Sequence, residues 1–244
     1  MKRAYLAMFG SLIGLWLLAG VLKVQSFLVP PPNLVLSVLW NERDIFVQQG
    51  LNTISIGLLG YLIANLLGVT MAIIFYYTPA IEAFASPWLV FLTRIPFIVF
   101  SSIFVVVFRN MLVPKLIIVV LVTVFTIVAN VTEGLKSADP VLLDRMKVLH
   151  ASRWQIFCKI LWPAAQPYFQ AAQLISFTGM VIAMIVAEYQ YGSEGLGFLL
   201  LRGQQQYRMD RLYAVAIIVS GVSVGIYIAL KAYQTHLLKK RRLI

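Results

Sequence analysis

Long apolar runs with almost no charge inside them decide what this chain can fold into. Stretches near 4–22, 51–76, 88–108, 115–132, 169–187 and 212–232 are each close to the twenty or so residues that cross a bilayer core as helix. In lipid every backbone amide must be satisfied internally, so a spanning chain is helical or a closed barrel. These runs are continuous rather than ten-residue alternations. The expectation is an all-α membrane protein with six transmembrane helices. With 61% hydrophobic and 12% charged residues, against about 45–50% and 25% in soluble domains, little soluble mass remains. The single cysteine, Cys158, excludes an internal disulfide.

Three regions follow from the punctuation. Residues 1–50 hold a first span and a surface segment. Met1-Lys2-Arg3 and the run after it resemble a signal peptide, but the run is longer than an h-region and lacks a small-x-small cleavage site, so it reads as a retained helix. Pro30-Pro31-Pro32 stops helix, Asn33 reads as the cap of a short segment, and Glu42-Arg43-Asp44 reads as a solvated charge cluster without special role. Residues 51–232 form the core. Residues 233–244 are a basic tail ending Lys239-Lys240-Arg241-Arg242 before Leu243 and Ile244. Most lysines and arginines fall on the side shared by the two termini and the loop after the fourth span, which sets N-in/C-in and places that loop in the cytoplasm.

Small and polar residues mark helix faces. Gly57, Gly60, Ala64 and Gly68 share one face and allow close helix approach. Gly10/Gly14 and Gly221/Gly225 are GxxxG pairs. Thr78–Pro87 reads as a linker, placing Arg94 near a span start, where it either snorkels to headgroups or faces protein or water. Thr123, Thr126 and Asn130 form a stripe that serves either bundle hydrogen bonding or a water-lined path. Gln173 lies in the fifth span and Glu188 at its end, followed by the turn glycines Gly192, Gly195 and Gly197. Arg94, Thr123, Thr126, Asn130, Gln173 and Glu188 are the pathway candidates.

The loop over 133–167 is the longest polar interruption. Asp139-Pro140 reads as an N-cap and first helical position. Ser152 and Gln155 read as a capping box opening a second helix after a corner at His150-Ala151, and Pro163 and Pro167 are expected to break that helix. Trp154, Phe157 and Leu161 share one face and anchor either in a partner or in the loop's own core, with Arg153 and Lys159 at the rim.

Several function classes lose support. The basic excess is explained by the membrane, and no zinc spacing or recognition-helix pattern points to nucleic acid. There is no GxxxxGK[ST], HExxH or GxSxG, and the only histidines are His150 and His236. A passive channel or secondary transporter is the nearer alternative, and a membrane-embedded enzyme the more distant one.

DRMKVLHASRWQIFCKILWP resembles, in frame, the EAA---G---------I-LP loop of ABC importer permeases. Asp144-Arg145-Met146 stand where Glu-Ala-Ala is usual, His150 at the usual Gly, and Ile160 and Pro163 at the Ile and Pro, with Trp162 where Leu is usual. GLKSADPVLLD, ASRWQIF, PAAQPY, IVAE and GSEGLG resemble the nitrate/sulfonate/taurine and pyrimidine-precursor branch. The resemblance implies a type I importer permease fold in a bacterial inner membrane, paired as a homodimer. It implies two separate ATPase subunits that bind ATP and Mg, with no cofactor on this chain. A periplasmic or lipid-anchored binding protein would deliver the solute, an anion such as sulfonate or nitrate or a thiamine-precursor-like heterocycle. It implies ATPase coupling through Asp144, Arg145, Met146, His150, Ala151, Ser152, Trp154, Phe157 and Leu161.

Overall fold

The computed structural model describes residues 28–242 together with Ser11, Gly14, Trp16 and Leu18. Apart from those four, the first span over 4–22, with Gly10, lies outside the described residues, as do Leu243 and Ile244. Among the described residues every regular element is helical. A short α1 (Pro32–Asn41) leads into α2 (Arg43–Tyr77), α3 (Pro79–Arg94), α4 (Phe97–Phe108) and α5 (Leu112–Lys136). The polar loop carries α6 (Pro140–Val148). Then come α7 (Arg153–Ile156), a π turn (Phe157–Leu161), α8 (Trp162–Tyr191), α9 (Leu196–Gln205) and α10 (Met209–Arg242). Among the described residues four helices are long and apolar enough to cross a membrane: α2, α5, the continuous run Arg153–Tyr191, and Met209–Ala232 within α10.

The small-residue stripe places α2 at the centre. A Cβ on Gly60 would lie 2.9 Å from Val119 Cβ, and one on Gly68 would lie 2.9 Å from Ile127 Cβ, so α2 and α5 run parallel in close contact. Gly57 meets Met180 and Met184 of the antiparallel α8. Gly134 lets α5 cross α8, since its Cβ would lie 2.8 Å from the Ala165 backbone. At the polar-loop end the core is built from Ile127, Val131, Leu135, Leu161 and Ala165. At the far end Val35, Phe46, Leu196, Leu199 and Val215 pack α1 and α9 onto α2 and α10.

Four expectations are corrected. The third span is two helices. Thr78–Pro87 is not a linker, because α3 starts at Pro79 and carries Pro87 inside it. The helix stops instead at Ile95, whose ψ of 124° is the extended conformation that a following proline enforces. Asn33 is not a cap, since α1 has Pro31 at N-cap and Pro32 at its first position. Glu42 is not idle, since Arg208 Nη1 lies 2.8 Å and Arg211 Nη2 2.6 Å from its carboxylate. Asp210 Oδ2 completes the cluster, 2.8 Å from Arg208 Nη2. Finally, Pro163 and Pro167 do not break the helix. The Trp162 N–H reaches back to Phe157 O in a π turn, and this wider turn just before Pro163 accommodates a ring that would clash with an α-helical carbonyl four residues back.

Candidate functional site

The polar loop is held by local caps. Asp139 Oδ1 accepts the Val141 N–H at 2.8 Å and Pro140 opens α6. The corner follows at His150, whose φ of 51° is the left-handed region that histidine tolerates better than most residues. The His150 N–H bonds to Lys147 O, and the Ala151 N–H bonds to Met146 O. The capping box is complete: Ser152 Oγ accepts the Gln155 N–H at 3.3 Å, and Gln155 Oε1 accepts the Ser152 N–H at 2.8 Å. Asp144 accepts from Lys147 at 2.9 Å, and this bond holds the exposed Lys147 ammonium above its ordinary range.

The structure divides the apolar face that the sequence offered either to a partner or to the loop's own core. Leu161, only 1% exposed, is buried in the chain's own core. Phe157 is half-buried and stacks on Trp154 at 5.7 Å between ring centroids. Trp154 is 72% exposed and borders a hollow with Ile73, Tyr77, Arg153 and Phe157. A second hollow is lined by Val141, Asp144, Arg145, Val148 and Leu149. These recur at i, i+3, i+4, i+7 and i+8, so they form one face of α6. Val148 is 79% and Leu149 74% exposed, at the non-spanning end of the bundle. Met146 and Ala151 are half-buried, and His150 and Ser152 are exposed at the corner. Val141, Val148 and Leu149 escaped the sequence reading, although their helical spacing was visible in it.

The pathway candidates separate. Thr123 is fully buried, its hydroxyl donating to Val119 O while Ser176 Oγ donates to its carbonyl, so it lies in the α5–α8 contact rather than along an open path. Asn130 Nδ2 donates to the carbonyl of half-buried Thr126 within the same helix. Gln173 takes the Tyr61 hydroxyl bond and donates to Asn65 Oδ1, joining α8 to α2. Arg94 is exposed in the last turn of α3, beside the break at Pro96.

Glu188 is the best-built member. It is 0% exposed, and its Oε2 accepts from Thr53 Oγ1 at 2.8 Å and from the Gly197 N–H at 3.0 Å. Its Oε1 and the Tyr191 hydroxyl are buried without a hydrogen-bond partner among the described residues. Gly195, at φ 105°, passes directly over the carboxylate, where any side chain would collide with it. The same loop is tied to the first turns of α2: Gln49 accepts the Gly195 N–H, Asn52 donates to Glu194, and Thr53 accepts the Leu196 N–H at 2.9 Å. Gln49, Asn52 and Thr53 were also missed. Their i, i+3, i+4 spacing at the start of an apolar helix was the available signal.

The model of the binding-protein-dependent transport system inner membrane component family matches residues 64–243. A formylaminopyrimidine transport permease of Halalkalibacterium halodurans is 27% identical over 99% of both chains. A permease named for aliphatic sulfonates transport in Bacillus subtilis is 25% identical over 86% of this chain and 78% of its own. Among solved structures, an inward-facing form of the MetNI methionine ABC transporter superposes with a TM-score of 0.69 at 17% identity, covering 79% of this chain and 96% of that one.

Proposed function

The chain belongs to the binding-protein-dependent transport system inner membrane components, and from that membership we propose that it forms the solute path of an ATP-driven importer and couples to its ATPase through the α6 face. Proteins of this family are multi-pass inner-membrane permeases, and the ATPase is a separate subunit. In this reading six spans cross the bilayer, the third built from α3 and α4, both termini and the polar loop lie in the cytoplasm, and the fold is that of type I importers. Two copies enclose the path about a two-fold axis. Two ATPase subunits, holding ATP and Mg, dock on the two loops, and a periplasmic or lipid-anchored binding protein delivers a small solute to the far end. The relatives' names, one for a heterocycle and one for sulfonates, are both compatible with that solute.

The exposed apolar face of α6 carries the proposal. A stiffly capped loop outside the spans has no reason of its own to leave Val148, Leu149 and, on α7, Trp154 more than two-thirds exposed, and exposed apolar surface of this kind marks an interface. The Asp144 and Arg145 charges beside it supply a polar rim. The test is the pair Val148→Asp with Leu149→Asp, set beside Trp154→Ala with Phe157→Ala. Both should insert normally. Loss of about 2 kcal/mol or more at an anchor residue corresponds to roughly thirtyfold weaker association, read as loss of co-purifying ATPase and of ATP-driven uptake. Undiminished assembly and uptake in both pairs would sink the docking assignment.

A further inference from the structure

Arg94 has no neutralising partner among the described residues. It lies at the end of α3, and α3 rises along α5 from the polar-loop end. Glu82, near the start of α3, pairs with Lys136 at 2.6 Å. Thr93 and Ile95, on either side of Arg94, border the same hollow as Leu121, Val122 and Phe125. Those three residues are the middle of the 25-residue α5. The backbone of Arg94 therefore lies at mid-depth of the bundle, not at a span start as expected. It is exposed, and among the described residues no hydrogen bond or ion pair holds it.

All nine acidic residues of the chain can be placed. Glu82, Glu133, Asp139 and Asp144 lie at the polar-loop end. Glu42, Asp44, Glu188, Glu194 and Asp210 lie at the far end. None lies level with the 121–125 stretch of α5, although the hollow that Thr93 borders on its other side runs down to Glu82 and Glu133, and a two-fold partner carries its acids at the same depths. The two ends of the α3–α4 segment are also distant. At 1.5 Å per residue, the 16-residue α3 sets Arg94 about 22 Å above its start, and the 12-residue α4 spans about 18 Å to the far end. Either distance is far beyond the reach of an arginine side chain. An arginine facing hydrocarbon at a helix centre costs about 2.5–3.5 kcal/mol even on insertion scales, so the charge calls for water and a counter-ion from outside the chain.

We infer that Arg94 lines the solute path at mid-membrane and that the transported solute is a small anion, which supplies the missing counter-charge. This rests on the importer reading above and adds the substrate class. Arginine suits the role because its guanidinium stays charged and offers a planar fork of donors matched to oxyanions. The helix break at Ile95-Pro96 leaves the end of α3 free of a following turn, so the side chain projects from a terminus rather than from a packed helix wall.

The test uses the full transporter, permease with its ATPase and binding protein, reconstituted in liposomes. Four probes are offered: nitrate, bicarbonate, ethanesulfonate and the neutral formylaminopyrimidine. ATP-dependent accumulation of one of the anions is expected, falling at least about tenfold in Arg94→Gln and staying within about threefold in Arg94→Lys. Accumulation of formylaminopyrimidine instead, or Arg94→Gln carrying the anion at the wild-type rate, would overturn the inference and leave the importer reading intact. A second measurement is independent of the solute. Arg94→Cys in a Cys158→Ser background should react with a membrane-impermeant thiol reagent, and absence of reaction means that the position faces lipid and overturns the inference. If the wild type accumulates none of the four and its ATP hydrolysis ignores the binding protein, the importer reading fails and this inference falls with it.

Discussion

Removing the Glu188 carboxylate should release the start of α9 while leaving the rest of the bundle in place. In Glu188→Ala two hydrogen bonds disappear. The Thr53 hydroxyl keeps an acceptor, because it also lies 3.1 Å from Gln49 O. The Gly197 N–H has no such alternative and is stranded in a buried site. A stranded buried donor costs about 1–3 kcal/mol, and the space left by the side chain adds about 1 kcal/mol more. The expected loss is about 2–4 kcal/mol, or roughly 30- to 1,000-fold in the local opening equilibrium. Glu188→Gln keeps an oxygen in the position of Oε2, so the Gly197 N–H and the Thr53 hydroxyl keep their acceptor. It should stay within about tenfold of the wild type. The assay is amide hydrogen exchange over 192–205 in lipid nanodiscs, with α5 as internal reference. Faster exchange confined to 192–205 in Glu188→Ala, with Glu188→Gln near wild type, is the expected pattern. Wild-type protection of that segment in Glu188→Ala would refute the clamp.

Other positions give sharper controls. Gly68→Leu should lower the melting temperature in detergent by overpacking worth about 1–3 kcal/mol, whereas Gly221→Leu, with nothing within 4 Å of its Cβ, should leave it unchanged. His150→Gly should relieve the left-handed corner and His150→Val should strain it, by about 1 kcal/mol each way, read as protease resistance of the polar loop. Glu42→Gln should loosen α9 and α10 from the start of α2 by leaving Arg208 and Arg211 short of a counter-charge. Its melting temperature should fall, and added salt should narrow the gap to wild type.

What the sequence disclosed was set by how local the deciding interactions are. The Asp139 cap, the Ser152–Gln155 box and the left-handed His150 join neighbours within a few residues, so the polar loop could be drawn before any coordinates. The Gly57–Gly68 stripe was legible because a helix period turns spacing into a face. Glu42 was misjudged because its partners lie at 208 and 211, and no local pattern announces a pairing that distant. The boundary of α3 was lost because Pro87 looks like a terminator, yet α3 carries it in its interior and stops only before Pro96. Leu161 was grouped with Trp154 on an α-helical wheel, but the π turn adds a residue to that stretch and helps turn Leu161 into the core.

The unbroken run from Arg153 to Tyr191 has a mechanical consequence. Its 39 residues make a stiff rod about 58 Å long. Trp154 stands near one tip and Glu188 near the other. One close backbone crossing along it is where Ala165 bears on Gly134, and a tilt about that contact would use it as a fulcrum. Measured from Ala165, the arm to Trp154 is about 16 Å and the arm to Glu188 about 35 Å. A rigid tilt about this point therefore magnifies travel about twofold: a push of 1 Å at the tip nearest the polar loop becomes roughly 2 Å at the opposite tip, beneath the loop that Gly195 folds over Glu188.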